Sequence, residues 1–117
     1  MMSILEDDFP LFIEKRKYPR LYCFLLVEFT FNDHTYRDSI INISEGGIFI
    51  ETKVPLPVGY PLTMYFKTHD ISHSIVLSGI VVRRDQEGVG VQFIKRNYQD
   101  IKSIQYLIEN CNSMAMI

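Results

Sequence analysis

The stretch LYCFLLVEFTFNDHTYRDSIINI, residues Leu21 to Ile43, decides the fold class. Its first half, Leu21–Phe31, places apolar side chains at every second position, and His34–Ile43 continues the alternation after the turn pair Asn32–Asp33. Alternation with period two is typical of strands with one buried face, and a turn pair between two such runs predicts a β-hairpin. The folded part of the chain is therefore expected to begin with two antiparallel strands.

More strands and one helix are predicted further along the chain. The strands are expected at Ile48–Glu51, Leu62–Thr68, Ile75–Arg83 and Val89–Ile94. Helical spacing of apolar residues predicts a helix over Asn97–Asn110, with Asn97 as its N-cap, Asp100 in its first turn, and the polar, Met-rich tail ending it. Because strands and helices do not alternate, a parallel sheet is disfavoured, and the pattern indicates a closed or nearly closed antiparallel β-barrel.

The composition describes one ordinary globular domain. The 117 residues suffice for a single domain, and a hydrophobic content of 47% with 22% charged residues excludes wholesale disorder. The longest apolar run, Leu21–Val27, is far shorter than the ~20 residues of a membrane-spanning helix, and the first residues lack a basic secretory signal. We therefore expect a cytoplasmic protein that does not insert into membranes, with Cys23 and Cys111 both reduced and Cys23 in the core.

Basic residues cluster directly before the first strand. Lys15, Arg16, Lys17 and Arg20 lie within six positions of one another, although the whole chain has a net charge of -2. Arg16 and Arg20, spaced R-x-x-x-R, present two guanidinium forks that suit phosphate oxygens and the O6/N7 edge of guanine. The near-neutral total weighs against a general nucleic-acid binder.

A second motif follows at the end of the second strand, with the spacing Asn42–x–Ser44–x–x–Gly47. Asn42 and Ser44 offer short polar side chains, and Gly46 and Gly47 allow positive φ and close backbone approach. Together, the arginine pair and this turn predict a site for a small, anionic ligand that carries guanine.

The two motifs together resemble the signature of PilZ domains, bacterial receptors for the second messenger cyclic di-GMP. The family pattern RxxxR followed by [D/N]xSxxG is met by Glu14–Leu21 and Asn42–Ile48, and Gly88–Phe93 is similar to the closing strand of many members. The resemblance covers about residues 14–110. It implies a mainly β fold, a six-stranded antiparallel β-barrel with a C-terminal α-helix, with an N-terminal arm at 1–13, the domain at 14–111 and a tail at 112–117.

The resemblance also implies a role for each matching residue. Arg16 and Arg20 would hold guanine edges and phosphates, Asn42 and Ser44 would hydrogen-bond the ligand, and Gly47 would permit the turn. Further possible contacts are Lys15, Lys17 and Gly46; the residue before the first arginine, Lys15, influences whether one ligand or a stacked pair binds. The family implies cyclic di-GMP as ligand and no cofactor, and we expect an unidentified downstream protein as partner. Because residues 1–20 precede the barrel and carry both arginines, we expect signalling by ligand-induced ordering of this arm.

Other interpretations stay open at this point. The domain is an interaction adaptor if the arginines bind an acidic protein partner instead of a nucleotide, and the net charge disfavours a binder of single-stranded nucleic acid. No acid–base pair, metal set or phosphate loop indicates an enzyme, and His34, His69 and His73 are interpreted as solvated residues rather than metal ligands.

Two further groups of side chains are assigned from their positions in the pattern. Arg83–Arg84 is interpreted as a charged hairpin end, with a phosphate or partner contact as the less favoured alternative, and Tyr18 either stacks on a base or packs. The remaining aromatic residues of the strands are expected in the core: Phe24, Phe29, Phe31, Phe49, Phe66 and Phe93.

Overall fold

The protein is described here from a computed structural model, which covers residues 21–67 and 74–115, with side chains for 25–67 and 74–111. The described residues form β1 (Leu21–Phe31), β2 (His34–Ile43), β3 (Gly47–Glu51), β4 (Pro61–Lys67), β5 (Ser74–Arg84), β6 (Gly88–Ile94) and α1 (Tyr98–Ala115). All strand pairs are antiparallel, and the sheet closes into a barrel in the order β1-β2-β3-β6-β5-β4. The predicted six-stranded antiparallel barrel with a C-terminal helix is confirmed.

The first hairpin has the predicted bounds and a two-residue turn. Asn32 and Asp33 have φ angles of 51° and 65°. Positive φ at both central residues matches the twist of the flanking strands, and Asn and Asp tolerate it better than other residues with a Cβ. The other strands begin or end within one residue of their predicted bounds, although Thr68 lies outside the described residues.

The core fills the barrel and continues to the helix. Phe29, Phe66 and Met64 are buried inside it, and Leu56, from the loop between β3 and β4, is fully buried among the strand residues. Phe93 also belongs to the core as predicted, and Phe31 is partly buried against it. The side chains of Cys23 and Phe24 lie outside the described residues, so their predicted core positions remain predictions.

Three irregularities interrupt the ladders of the barrel. The pairing shifts between Tyr22 and Leu25 in β1–β2, between Ile40 and Asn42 in β2–β3, and between Val81 and Arg83 in β5–β6. A β-bulge adds one residue to one strand, so it reverses which later side chains face inward. These shifts therefore determine which side chains face outward near the candidate site.

The helix begins with a reciprocal cap. The Asp100 amide donates to Asn97 Oδ1 at 3.0 Å, and Asp100 Oδ2 accepts from the Arg96 amide at 3.0 Å and from Arg96 Nε at 3.2 Å. The predicted cap at Asn97 is confirmed. The hydrogen bond from the Arg96 amide, helped by the Arg96 side chain, lowers the pKa of Asp100 although burial opposes that shift.

The buried face of the helix differs from the predicted stripe. Ile104, Leu107 and Cys111 are buried and belong to the core, with Cys111 a free thiol, whereas Tyr98 and Ile101 are exposed. The helix packs against β1 and continues to Ala115, so its predicted end at Asn110 was wrong. Asn110 does not end the helix, because its Nδ2 donates to the Tyr106 carbonyl one turn earlier, at 3.1 Å.

Among the helices in the described part of the chain, we find none that is both long and apolar enough to cross a membrane.

Candidate functional site

The segment Asn42–Gly47 folds as a tight turn fastened to a neighbouring strand. The Ser44 amide donates to the Gly47 carbonyl at 2.9 Å, and Ser44 Oγ accepts from the Gly46 amide at 3.2 Å. The Phe93 amide of β6 donates to the Gly46 carbonyl at 2.9 Å. The turn is thus held from within by the serine, whose oxygen is the acceptor, and from outside by β6.

Asn42 reaches the outer face of the barrel because of a bulge. Ile40 and Ile43 are both buried in the core, which simple alternation along β2 forbids. The extra residue, Ile41, separates Ile40 and Asn42 in the pairing with β3, so Asn42 turns outward and is half-buried. A strictly alternating strand would have buried its amide beside Ile40.

The start of β1 runs beside this turn. Leu21 pairs with Ile43, and Tyr22 pairs with Asn42. Arg20 immediately precedes Leu21 in sequence, but the predicted ligand residues Arg16 and Arg20 lie outside the described residues, as do Lys15 and Lys17. The described part therefore brings together Asn42, Ser44, Gly46 and Gly47, next to the strand that continues the arginine segment.

Gly47 is required by close packing of the backbone. A Cβ at this position would lie 2.1 Å from the carbonyl oxygen of Val91, which no real Cβ contact allows. Among the described glycines, only Gly59 has positive φ, so the turn does not use the positive φ that Gly46 and Gly47 allow. The expected close backbone approach is confirmed at Gly47.

Phe49 is buried, as predicted, but it does not join the cluster of side chains that fills the barrel. Its neighbours in the strand, Ile48 and Ile50, are in the core, whereas Phe49 lies opposite Asn42 on one side and Gly90 on the other. The side chain is nevertheless only 4% exposed, and the guanidinium carbon of Arg83 lies 5.2 Å from its ring centroid. Gly90, the cross-strand partner of Phe49, was the sequence signal for this outward position. From the sequence, Gly90 was assigned only to the closing strand.

Sequence comparison identifies the family. The profile of the PilZ domain matches residues 14–110, which includes both motifs and all six strands. The chain belongs to the PilZ domain family.

Solved structures of PilZ domains share this fold. The PilZ domain with c-di-GMP of YcgR from Escherichia coli has a TM-score of 0.72 and 13% identity, covering 87% of this chain and 95% of that chain. MotI/DgrA, the inhibitor of motility of Bacillus subtilis, has a TM-score of 0.63 and 24% identity, covering 83% of this chain but 51% of that chain. The MrkH–c-di-GMP complex of K. pneumonia has a TM-score of 0.65 and 18% identity, covering 89% of this chain and 54% of that chain.

The last two proteins are about twice as long as the part of them that this PilZ domain matches. At these identities the likeness establishes the fold. No curated protein sequence matches the chain.

A groove adjoins the PilZ turn on the side of the helix. It has a volume of about 210 Å³ and is lined by Glu45, Lys95, Ile101, Ile104 and Gln105. Glu45 belongs to the turn itself, and Ile101 supplies an exposed apolar side chain at the opposite wall. The turn is therefore bordered by a concave surface with both charged and apolar parts.

The described residues hold no group of three side chains that suits a metal ion. His69 and His73, which we interpreted as solvated, lie outside the described residues. His34 lies at the first hairpin, where its ring is 6.4 Å from that of Tyr36 in an edge-to-face contact.

Proposed function

We propose that this PilZ domain is a non-catalytic receptor for cyclic di-GMP. The observation that carries the proposal is the position of the Asn42–Gly47 turn, whose outward Asn42 pairs with Tyr22, two residues after Arg20. Two of the structural relatives, the YcgR domain and MrkH, were solved with c-di-GMP, which adds support from the family.

The chemistry of the turn suits a guanine nucleotide. The Asn42 amide both donates and accepts, so it matches the mixed edge of guanine without repelling phosphates. The Ser44 oxygen accepts from the Gly46 amide, and its hydroxyl is also a donor of the kind that suits a phosphate or guanine acceptor. Arg20 directly precedes Leu21, which pairs with Ile43, and in this proposal Arg20 contacts the ligand at the turn. Its guanidinium fork, with that of Arg16, supplies the charge that a cyclic dinucleotide with two phosphates requires.

The signal in this proposal is the ordering of residues 1–20. Ligand held by both arginines and by the turn would fix the arm against the barrel, which changes the surface available to a downstream protein. Ordering costs roughly 1–2 kcal/mol per residue, so the contacts of the two arginines alone do not offset it, and the ordered arm must also gain contacts with the barrel and the ligand. The proposal therefore predicts that arm and ligand are ordered together.

Isothermal titration calorimetry with cyclic di-GMP tests the receptor function, with GTP and a short single-stranded RNA as controls. We expect selective binding, and the fitted stoichiometry separates one ligand from a stacked pair. Arg16→Ala and Arg20→Ala should each weaken binding at least tenfold, since a hydrogen bond from a charged group is worth about 1.5–3 kcal/mol. Arg84→Ala, which removes the same charge from an exposed strand end, is the matched control.

Two results would contradict the proposal. If a folded double variant of Arg16 and Arg20 bound as well as the wild type, the assignment of the arginines would be wrong. If the folded wild type bound none of the nucleotides, the interaction-adaptor hypothesis would replace the receptor.

Hydrogen–deuterium exchange tests the arm. Amides of residues 1–20 should exchange more slowly with saturating cyclic di-GMP, while those of the barrel interior stay unchanged. Binding without protection of the arm would refute the ordering mechanism but leave the receptor function intact. The nucleotide should be recovered chemically unchanged, because the proposal includes no catalytic step.

A further inference from the structure

A row of paired residues leads from the candidate site across the outer face of the barrel. Asn42 of β2 pairs with Phe49 of β3, and Phe49 pairs with Gly90 of β6. Gly90 in turn pairs with Arg83 of β5. Residues paired directly across antiparallel strands share a face, so all four positions face outward like Asn42.

Two of the three irregularities in the barrel lie in this row. Ile41 is the extra residue that turns Asn42 outward, and Val82 is the extra residue that does the same for Arg83. Val81 is buried in the core, and Val82 and Arg83 are both exposed, as a bulge requires. Bulges are common next to functional sites because they re-aim side chains, and here both aim polar groups at one surface.

The missing side chain at Gly90 lets Arg83 lie across β6. A Cβ at Gly90 would come within 3.1 Å of both Cγ and Nε of Arg83, so the arginine occupies the space above the glycine. Its guanidinium carbon then lies 5.2 Å from the centroid of the Phe49 ring, within the ~6 Å range of a cation–π contact. The charge thus lies at the ring of Phe49, the residue that pairs with Asn42 across β2 and β3.

The guanidinium keeps donors for a ligand. The side chain of Arg83 is 50% exposed, and its ion pair with Asp85 is long, with 3.8 Å between Nη1 and Oδ2. Exposed pairs of this kind hold a side chain weakly. Phe49 lies against the guanidinium, and the half-exposed Arg83 side chain leaves the group accessible to a ligand acceptor.

We propose that Arg83 is a third arginine of the ligand site, which donates through its guanidinium to an acceptor of bound cyclic di-GMP. The inference rests on the proposed receptor function and extends its site from β2 across β3 to β5. Arg83 then contacts the ligand on the β3 side of Asn42, because β3 lies between β2 and β6 in the barrel.

Calorimetry with cyclic di-GMP tests the inference by comparing Arg83→Ala with Arg84→Ala. The two variants lose the same charge at adjacent positions, so a general electrostatic effect would appear in both. We expect the dissociation constant to rise at least tenfold for Arg83→Ala and to stay within about twofold of the wild type for Arg84→Ala. Equal binding by Arg83→Ala and the wild type would overturn the role of Arg83 while the receptor function stands.

Gly90→Leu provides a second route that leaves Arg83 in the chain. The leucine side chain would occupy the space that Arg83 takes above β6, so the affinity for cyclic di-GMP should fall. The double variant Gly90→Leu with Arg83→Ala should bind cyclic di-GMP no more weakly than the weaker of the two single variants. Additive losses would overturn the proposed path of the arginine. Absence of binding by the folded wild type would overturn the receptor function and this inference together, whereas a drop in thermal stability alone would assign Arg83 to packing on Phe49.

Discussion

Gly47→Ala offers a quantitative test of why the turn ends in glycine. The added Cβ would lie 2.1 Å from the carbonyl oxygen of Val91 and 3.2 Å from Cα of Gln92, so β3 and β6 must separate at their first pair, Gly47 with Gln92. Both obstacles are backbone atoms that also hold the ladder, so no side-chain rotation relieves them. Forcing a methyl group into such a site costs about 1–3 kcal/mol.

Thermal unfolding followed by circular dichroism measures this cost. For a domain of this size 1 kcal/mol corresponds to roughly 4–5 °C, so the melting temperature should fall by about 4–15 °C. Gly90→Ala is the matched control on the facing strand, because its Cβ would meet only the flexible Arg83 side chain, at 3.1 Å. The control should lose less than the Gly47 variant.

The opposite order of the two variants, or a Gly47→Ala protein as stable as the wild type, would refute the steric argument. Glycine at this position would then serve the approach of a ligand rather than the packing of the strands. Binding measured on the folded variant separates these roles, because a purely structural glycine leaves the affinity of the surviving folded fraction near that of the wild type.

Two more predictions concern the helix. Asp100→Asn should lower the free energy of unfolding at neutral pH by about 1 kcal/mol, since it weakens the reciprocal cap. The pKa of Asp100 is lowered in the folded protein, so the carboxylate contributes its full stabilisation above the unfolded pKa of 3.8 and loses it as the pH falls through the folded pKa. In urea titrations, the difference in the free energy of unfolding between Asp100→Asn and the wild type should therefore become smaller in acid. Leu107→Ala should cost about 2–5 kcal/mol in the same titration, and Ile101→Ala, 39% exposed, much less; equal losses would contradict the observed helix orientation.

The strands were predictable because the barrel needs one apolar face on each of them. In β4 the side chains of Leu62, Met64 and Phe66 are buried while those between them are exposed, as strict alternation requires. The turn at Asn32–Asp33 was predictable for a local reason, since both residues tolerate positive φ. The family motif was also local, so its position at the end of β2 followed from the strand prediction.

The faces of the helix and of the bulged strands were not predictable from periodicity. Tyr98 and Ile101 share helical spacing with Ile104, but the cap at Asn97 and Asp100 sets a rotation that leaves both exposed. Phe49 reads as a core residue in a run of apolar side chains, and only its cross-strand partners reveal that it faces outward. Such partners depend on register, which a single strand does not specify.

The same register explains why the site extends further than its motifs. Asn42 was predicted from a motif without knowledge of its direction, and it faces outward only because Ile41 is an extra residue in the ladder. Val82 breaks the ladder three strands further along and brings Arg83 to that face, although the two bulges share no sequence motif. A bulge leaves a residue unpaired and disrupts the ladder, so it does not favour the stability of the barrel. Both bulges turn side chains of the same row of paired residues outward, and the surface that they create explains them better. That surface is the one on which the Arg83 and Gly90 variants should act together.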